Sequence, residues 1–268
     1  MPMPHLTAKK SLGQNFLKNP KVVATMIEAA RLSAGDRVLE IGPGTGMLTE
    51  GLLATGATVV ALEADHRAID ILTERFSREI AAGTLLLHHA DVRTANIPEM
   101  VGREPYTVVA NIPYYLTGLL LRSTLSGAHQ PKTAVFLVQK EVAARIARSK
   151  KESLLSLSVK VYGTPKYVAT VSRGNFSPAP AVDSAILAIT DISRARFGAL
   201  DEAWFFTVIH AGFAARRKQL AGTLRAIAPQ ERIAHAFAAL GLAETIRGED
   251  LTIDTWCALA EALTEGTR

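Results

Sequence analysis

The 268-residue sequence contains a single cysteine and no apolar run long enough to span a bilayer. Cys257 alone cannot form an internal disulfide, and the chain offers no thiolate cluster for zinc or iron, which suits a reducing cytoplasm. The start, MPMPHLTAKK, lacks the apolar core of a signal peptide. We therefore expect a cytoplasmic protein that is not bound to membranes and holds no metal.

A Walker sequence, G-x-x-x-x-G-K-[ST], is also absent, which excludes P-loop nucleotide chemistry. The glycine-rich stretch that is present, VLEIGPGTG at residues 38–46, is one residue shorter than the dinucleotide fingerprint G-x-G-x-x-G. Its apolar start predicts a buried strand, and Gly42, Gly44 and Gly46 then open a predicted helix. Such glycines either shape a tight turn or let the backbone approach a ligand closely.

Acidic residues end the next two predicted strands. Glu63 lies near the end of TVVALEAD, where its carboxylate either accepts hydrogen bonds from the two hydroxyls of a ribose or is a solvated strand-end charge. Asp91 ends TLLLHHADV, where it can accept a hydrogen bond from the amino group of an adenine. The pattern E-x-G-x-G-x-G, followed by an acidic residue at the end of the next strand, resembles the S-adenosylmethionine-dependent methyltransferases.

The fourth predicted strand, YTVVA, runs directly into Asn111, Ile112, Pro113 and Tyr114. The proline makes this loop stiff, so that its carbonyls and the asparagine amide can point at a substrate. An exocyclic amine on an aromatic base is a poor nucleophile, because its lone pair is shared with the ring. Two acceptors on its N–H groups would restore its basicity, and Tyr114 could stack on the base.

Two further loops are candidates for the site. Gln14, Asn15 and Leu17 precede a predicted helix that begins at Pro20, and such a loop either closes over a ligand or is an ordinary N-terminal arm. Phe176 lies in the proline-rich loop GNFSPAPAVDS, where it is either a second wall of a base-stacking slot or a hydrophobic plug. Spacing alone favours the plug.

Basic residues are concentrated in two segments of the chain. The net charge is +5, but residues 1–21 carry +4, residues 141–173 carry +5, and the remainder is acidic. This distribution indicates a phosphate-bearing partner such as RNA or, equally, a set of solvated lysines. The candidate RNA-binding residues are Lys150, Lys151, Arg216, Arg217 and Lys218.

The periodicity of the chain changes near residue 195. Strands and helices alternate before this point, and the segment 154–163 is expected to be one of three closing β-rich elements. Only helical periodicities follow it. We predict a Rossmann-like α/β domain with a mostly parallel central sheet at residues 1–195 and a small all-α domain at residues 196–268.

Together, SLGQNFL, LEIGPGTG, NIPY and NFSPAPAVDSA resemble, in content and order, the ribosomal RNA adenine dimethyltransferase family, and the resemblance covers the whole chain. It implies S-adenosylmethionine as the cofactor, with contacts from Gln14, Asn15, Leu17, Gly42, Gly44, Glu63, Asp91 and Asn111. It also implies that the target adenine is framed by Asn111, Ile112, Pro113, Tyr114 and Phe176.

The helical tail resembles the branch that dimethylates two adjacent adenines near the 3′ end of 16S ribosomal RNA. We expect a monomer that acts on the immature small ribosomal subunit. The tail departs from that branch in AGTL after RRKQL, where a polar residue such as asparagine is common, so its RNA contacts stay open. The alternatives are an RNA-binding assembly factor with methylation secondary, and a large-subunit methyltransferase of the macrolide-resistance type.

Overall fold

The computed structural model describes residues 6–9, 12–215 and 218–264. Its contacts divide the chain into two units, the first made of Met1–Ala143 with Thr164–Ile192 and the second of Ala144–Gly163 with Ser193–Arg268. Within the described part of the chain, no helix is both long and apolar enough to cross a membrane.

A seven-stranded sheet forms the centre of the first unit, in the order β4-β3-β2-β5-β6-β9-β7. The first five strands in this order are parallel, and β9 and β7 are antiparallel to their neighbours. The seven strands are β2 Arg37–Ile41, β3 Thr58–Glu63, β4 Leu85–His89, β5 Tyr106–Asn111, β6 Thr133–Gln139, β7 Thr164–Val171 and β9 Ser184–Thr190. This architecture confirms the predicted α/β class with a mostly parallel sheet.

The helices of the first unit connect the parallel strands and cover the sheet. The first begins as the sequence predicts, because the Asn19 side chain accepts the backbone N–H of Lys21 and Pro20 is its first residue. The helices are α1 Pro20–Ala30, α2 Met47–Leu53, α3 His66–Arg75, α4 Ser77–Ala81, α5 Ile97–Val101, α6 Thr117–Ser126 and α7 Lys140–Ala147, the last of which ends in the second unit.

A second, two-stranded sheet brings the N-terminal arm to the proline-rich loop. Its strands, β1 Phe16–Leu17 and β8 Phe176–Ser177, are antiparallel, with Leu17 opposite Phe176. This pairing crosses about 160 residues of sequence, so no local pattern predicts it.

The second unit is helical, in agreement with the periodicity of the tail. Trp256 is its largest fully buried side chain; its ring stacks on Phe213 and its indole N–H donates to the carbonyl of Gly248. The helices are α8 Leu154–Lys160, α9 Glu202–Phe213, α10 Leu220–Leu224, α11 Gln230–Ala239 and α12 Ile253–Leu263.

The β-rich prediction for residues 154–163 is wrong, because this segment contains α8. A capping box explains the difference: Ser153 accepts the backbone N–H of Ser156, and the Ser156 hydroxyl accepts the backbone N–H of Ser153. The units also differ from the predicted domains here, since 144–163 belongs with the helical tail. Two backbone hydrogen bonds hold it there, from Glu152 to the carbonyl of Glu249 and from Ser193 to that of Tyr162.

Gly46, between β2 and α2, has a left-handed backbone with a φ of 85°, and a Cβ there would lie 2.5 Å from Phe76. Gly35 has nearly the same φ, 84°, but faces open space. We expect Gly35→Ala to lower the free energy of unfolding by about 1 kcal/mol through backbone strain, and Gly46→Ala by about 1–3 kcal/mol more through overpacking. Urea denaturation of both variants measures the difference, and equal losses would contradict this account.

Candidate active site

One cavity in the first unit opens at the carboxyl ends of β2, β3, β4 and β5. The strand order reverses at β2, because β3 lies on one side of it and β5 on the other. Open parallel sheets bind ligands at such a switch point. The predicted residues that line this cavity are Gln14, Asn15, Leu17, Gly42, Gly44, Glu63, Asp91, Asn111, Ile112, Pro113, Tyr114 and Phe176.

Glu63 ends β3 with its carboxylate fixed by the backbone. One oxygen accepts the N–H of Gly44 at 3.0 Å, and the other accepts the N–H of Asp65 at 2.9 Å. Burial raises the pKa of Glu63, and these hydrogen bonds oppose that effect by favouring the charged form. The glycine loop and the end of β3 are therefore joined through a single side chain that faces the cavity.

The glycine loop itself is packed closely on two sides. A Cβ at Gly44 would lie 3.0 Å from the ring of Phe16, so the N-terminal arm rests directly on the loop. A Cβ at Gly42 would lie 3.9 Å from the backbone oxygen of Asn111. Glycine at position 44 therefore lets the arm pack directly on the loop, where a side chain would collide with the Phe16 ring.

Asp91 follows β4, and its carboxylate is bound by a residue that the sequence analysis missed. Arg93 donates to it from Nε at 3.0 Å and from Nη2 at 2.5 Å, and the Arg93 backbone N–H donates at 2.9 Å. These hydrogen bonds lower the pKa of Asp91. Arg93 therefore stabilises the ionised form of Asp91 and fixes the position of its carboxylate.

The N-terminal arm is anchored by Asp65, a second missed residue, whose side chain is fully buried. Asp65 accepts hydrogen bonds from Arg67 at 2.5 Å and from Gln14 Nε2 at 3.0 Å, and the contact with Arg67 holds its pKa well below the usual range. Arg67 also donates to the carbonyl of Thr7, and Gln14 accepts the backbone N–H of Lys9. Gln14 lines the cavity, but the polar atoms of its side chain hold the arm in place.

Asn111 at the end of β5 has its amide orientation set by the arm. Its Nδ2 donates to the carbonyl of Asn15 at 3.1 Å, and the Asn15 amide donates in turn to the carbonyl of Gly13. Because Nδ2 makes this contact, Oδ1 must point elsewhere, and it accepts no hydrogen bond from any residue in the described ranges. The Oδ1 atom of Asn111 is therefore available as a hydrogen-bond acceptor beside the cavity.

Two aromatic side chains form walls of the cavity. The Tyr114 hydroxyl is 2.8 Å from the hydroxyl of Ser184, which anchors the ring, and burial raises the pKa of Tyr114. Phe176 is only 3% exposed and belongs to the hydrophobic core cluster, yet it also lines the cavity. Phe176 is therefore part of the hydrophobic core and also lines the cavity.

Glu40, on β2 beneath the glycine loop, is fully buried, and its carboxyl oxygens have no hydrogen-bond partner among the described residues. Burial raises its pKa to about 8; the nearby Thr49 hydroxyl lowers it and the Glu63 carboxylate raises it. Glu40 is thus largely a neutral acid at neutral pH. Glu40 is the first residue of the pattern E-x-G-x-G-x-G, which does not reveal that its carboxyl group is buried.

The predicted basic residues Lys150, Lys151 and Lys218 lie in the second unit. Arg216 and Arg217 are outside the described residues. Lys151 forms ion pairs with Glu249 and Asp250, so its charge is already compensated. Lys218 and Lys151 line a second cavity, which lies wholly within this unit. Arg145 and Arg247, which were not predicted, line it as well.

Comparisons with known proteins identify the family to which the chain is similar. The family model of ribosomal RNA adenine dimethylase matches residues 5–265. A ribosomal RNA small subunit methyltransferase A of Dehalococcoides mccartyi is 38% identical, over 97% of this chain and 90% of the relative. A crystal structure of a dimethyladenosine transferase from Plasmodium falciparum is 25% identical with a TM-score of 0.78, over 91% of this chain and 95% of that one. The 23S rRNA methyltransferase ErmE is 26% identical with a TM-score of 0.75, over 93% and 99%.

Glu40 should make the stability of the protein depend on pH. Because folding raises its pKa from 4.5 to about 8, the folded protein binds more protons than the unfolded chain between these values. The contribution of Glu40 to stability is therefore fully present below the unfolded pKa and is lost as the pH rises, by about 1.4 kcal/mol per pH unit.

We expect Glu40→Gln to remove this slope from the free energy of unfolding, measured by urea denaturation between about pH 5 and pH 8. The control is Glu28→Gln, which removes an exposed carboxylate from α1. Parallel pH profiles for wild type and Glu40→Gln would show that Glu40 does not titrate in this range.

Proposed function

The chain belongs to the ribosomal RNA adenine dimethylase family, and from this membership we propose that it dimethylates the N6 amines of two adjacent adenines near the 3′ end of 16S ribosomal RNA. Asn111 carries this proposal, because its free amide oxygen lies at the carboxyl end of β5 beside the cofactor cavity. S-adenosylmethionine, the cofactor of the family, supplies an electrophilic methyl group on its sulfonium when it is bound.

The residues around the cavity fit this cofactor. Glu63 would accept hydrogen bonds from the ribose hydroxyls, since its two oxygens are already oriented by backbone N–H groups. Asp91 would accept the adenine amino group, because Arg93 keeps it ionised. Gly42 and Gly44 line the cavity without side chains, so the amino-acid end of the cofactor could approach their backbone.

The target amine would be held by two acceptors, the Oδ1 atom of Asn111 and the carbonyl region of Ile112 and Pro113. Both draw on its N–H groups and place its lone pair in line with the methyl group, so that orientation supplies most of the rate. The ammonium that forms is strongly acidic, and water can take its proton. No side chain is therefore required as a general base.

The target adenine must leave its stack to reach this loop, which costs a few kcal/mol. Stacking on an aromatic side chain returns roughly 1–3 kcal/mol per base, so one or two rings can offset that cost. Tyr114 has its ring anchored by Ser184 at the cavity, and Phe176 lines the same space. We propose that these two rings hold the extruded base.

The small-subunit RNA is the better-supported substrate, because the small-subunit relative is 38% identical whereas the 23S rRNA methyltransferase ErmE is 26% identical. We propose that the protein acts as a monomer on the immature small subunit in the cytoplasm. The basic side chains of the second unit, Arg145, Lys218 and Arg247, would contact phosphates of the RNA, together with Lys150, Arg216 and Arg217. Lys151 would do so by exchanging its ion pairs with Glu249 and Asp250 for a phosphate.

Incubation with labelled S-adenosylmethionine tests the substrate. We expect methyl-deficient small subunits to acquire label in the N6 amines of two adjacent adenines, and methyl-deficient large subunits to acquire none. Mapping the label by nuclease digestion and mass spectrometry identifies the positions. Label confined to large-subunit RNA would overturn the assignment, and binding of small subunits without any label would favour an assembly factor.

Asn111→Ala tests the mechanism. Loss of the acceptor should lower the turnover number at least about 100-fold, because a misoriented amine forfeits much of the benefit of positioning. Binding of RNA should change little, and Asn96→Ala, which removes an exposed asparagine before α5, should behave as wild type. Near-normal turnover by Asn111→Ala in a single-turnover assay would exclude this role.

A further inference from the structure

The large hydrophobic side chains that are most exposed in the described ranges lie in the first unit: Tyr115 at 59%, Leu119 at 47% and Val182 at 45%. Two of them, Tyr115 and Leu119, are four residues apart, and Tyr115 directly follows Tyr114 of the candidate site. Tyr115 also lines the cofactor cavity. An exposed aromatic ring beside a candidate site could contact the substrate bound there.

Tyr115 and Leu119 share one helical face with Gly118 and Arg122. The 3₁₀ turn Tyr114–Leu116 runs directly into α6, so positions separated by three, four and seven residues lie on the same side. The other side of α6 is buried through Thr117, Leu120, Leu121 and Leu125. The core of the unit therefore does not need Tyr115 and Leu119.

The Tyr115 ring is held on one side and open on the other. A Cβ at Gly13 would lie 3.1 Å from Cε1 of Tyr115, so the N-terminal arm supports the ring. Gly118 has no atom within 4 Å of an added Cβ, which leaves the face open between Tyr115 and Leu119. A supported ring beside an open surface provides a platform for stacking.

The charge of this face favours a nucleic acid over an apolar protein segment. Helix α6 contains no acidic residue, and Arg122 forms no ion pair with any residue that the structure describes. Aromatic side chains combined with a cation are the usual composition of surfaces that bind single-stranded RNA. An extruded adenine stays linked to its neighbours through the backbone, so a neighbouring base would lie near the mouth of the cavity that Tyr115 lines.

We propose that Tyr115, Leu119 and Arg122 bind the nucleotide next to the target adenine. Its base stacks on the open face of the Tyr115 ring and against Leu119, and a phosphate of the strand contacts Arg122. This inference rests on the proposed function, because it requires an adenine to be drawn from an RNA strand into the Tyr114 pocket. It adds a contact outside the cofactor and target subsites.

The test uses an RNA hairpin from the small-subunit 3′ end in which 2-aminopurine replaces a base next to a target adenine. Each flanking position is probed in a separate hairpin. Wild-type protein should quench the fluorescence in one of them by stacking. Tyr115→Ala should abolish that quenching and raise the KM for RNA about 10-fold to 100-fold, whereas Tyr115→Phe should preserve both. The KM for RNA should change by a larger factor than the turnover number or the cofactor Kd, because the proposed contact is made to the RNA.

Arg122→Gln tests the phosphate contact and should reduce the salt dependence of RNA binding by about one charge. Its control is Arg103→Gln. Arg103 is exposed and precedes β5, so it lies at the amino ends of the strands, whereas the cavity lies at their carboxyl ends. Equal effects of the two arginine variants would overturn the assignment of Arg122.

Unchanged quenching and KM for Tyr115→Ala would overturn the stacking role. A joint fall in melting temperature and cofactor affinity would also overturn it, since Tyr115 would then only support the N-terminal arm. An effect on intact subunits but not on the hairpin would indicate a protein partner and would likewise refute the proposal. Fluorescence reports stacking without catalysis, so absence of methylation by wild-type protein would count against the proposed function alone.

Discussion

The carboxyl end of β3 is the point to which the other parts of the candidate site are attached. Glu63 accepts the backbone N–H of Gly44, which fixes the glycine loop, and two residues later Asp65 accepts the side chain of Gln14, which fixes the N-terminal arm. Asp65 is also bound by Arg67, whose guanidinium reaches the carbonyl of Thr7. The glycine loop and the N-terminal arm, which both line the cavity, are therefore held by side chains at the end of one strand.

Glu40 and Glu63 are both buried carboxyl groups, and they differ in how their surroundings stabilise a charge. Burial raises the pKa of both, but Glu63 accepts backbone N–H groups that stabilise its charge, whereas Glu40 has no such donors in the described structure and its pKa reaches about 8. In the proposed function, Glu63 would accept hydrogen bonds from hydroxyl donors. Glu40 is tolerated because it can remain protonated, and its contribution to stability is lost as the pH rises from about 4.5 to about 8.

The sequence predicted those features that depend on position along a strand, and it missed those that depend on pairs far apart. Glu63, Asp91 and Asn111 could be selected from the sequence because the carboxyl ends of parallel strands lie on the same side of a sheet. The contact of Gln14 with Asp65 joins residues 51 positions apart, so no local pattern contains it. Helix α8 was missed because its alternating leucines and serines also fit a strand, and only the capping box at Ser153 decides between the two.

In the proposed function, the contact between Asn111 and the N-terminal arm would link cofactor binding to catalysis. The arm carbonyl of Asn15 fixes Nδ2 of Asn111, and the ring of Phe16 rests on Gly44 of the loop. A neutral hydrogen bond contributes only about 0.5–1.5 kcal/mol to stability, yet a displacement of about 1 Å can lower a rate about 100-fold. The contact between Asn15 and Asn111 is therefore weak as a source of stability and strong as a means of orientation. An arm that covers the cofactor would at the same time aim the acceptor at the incoming amine.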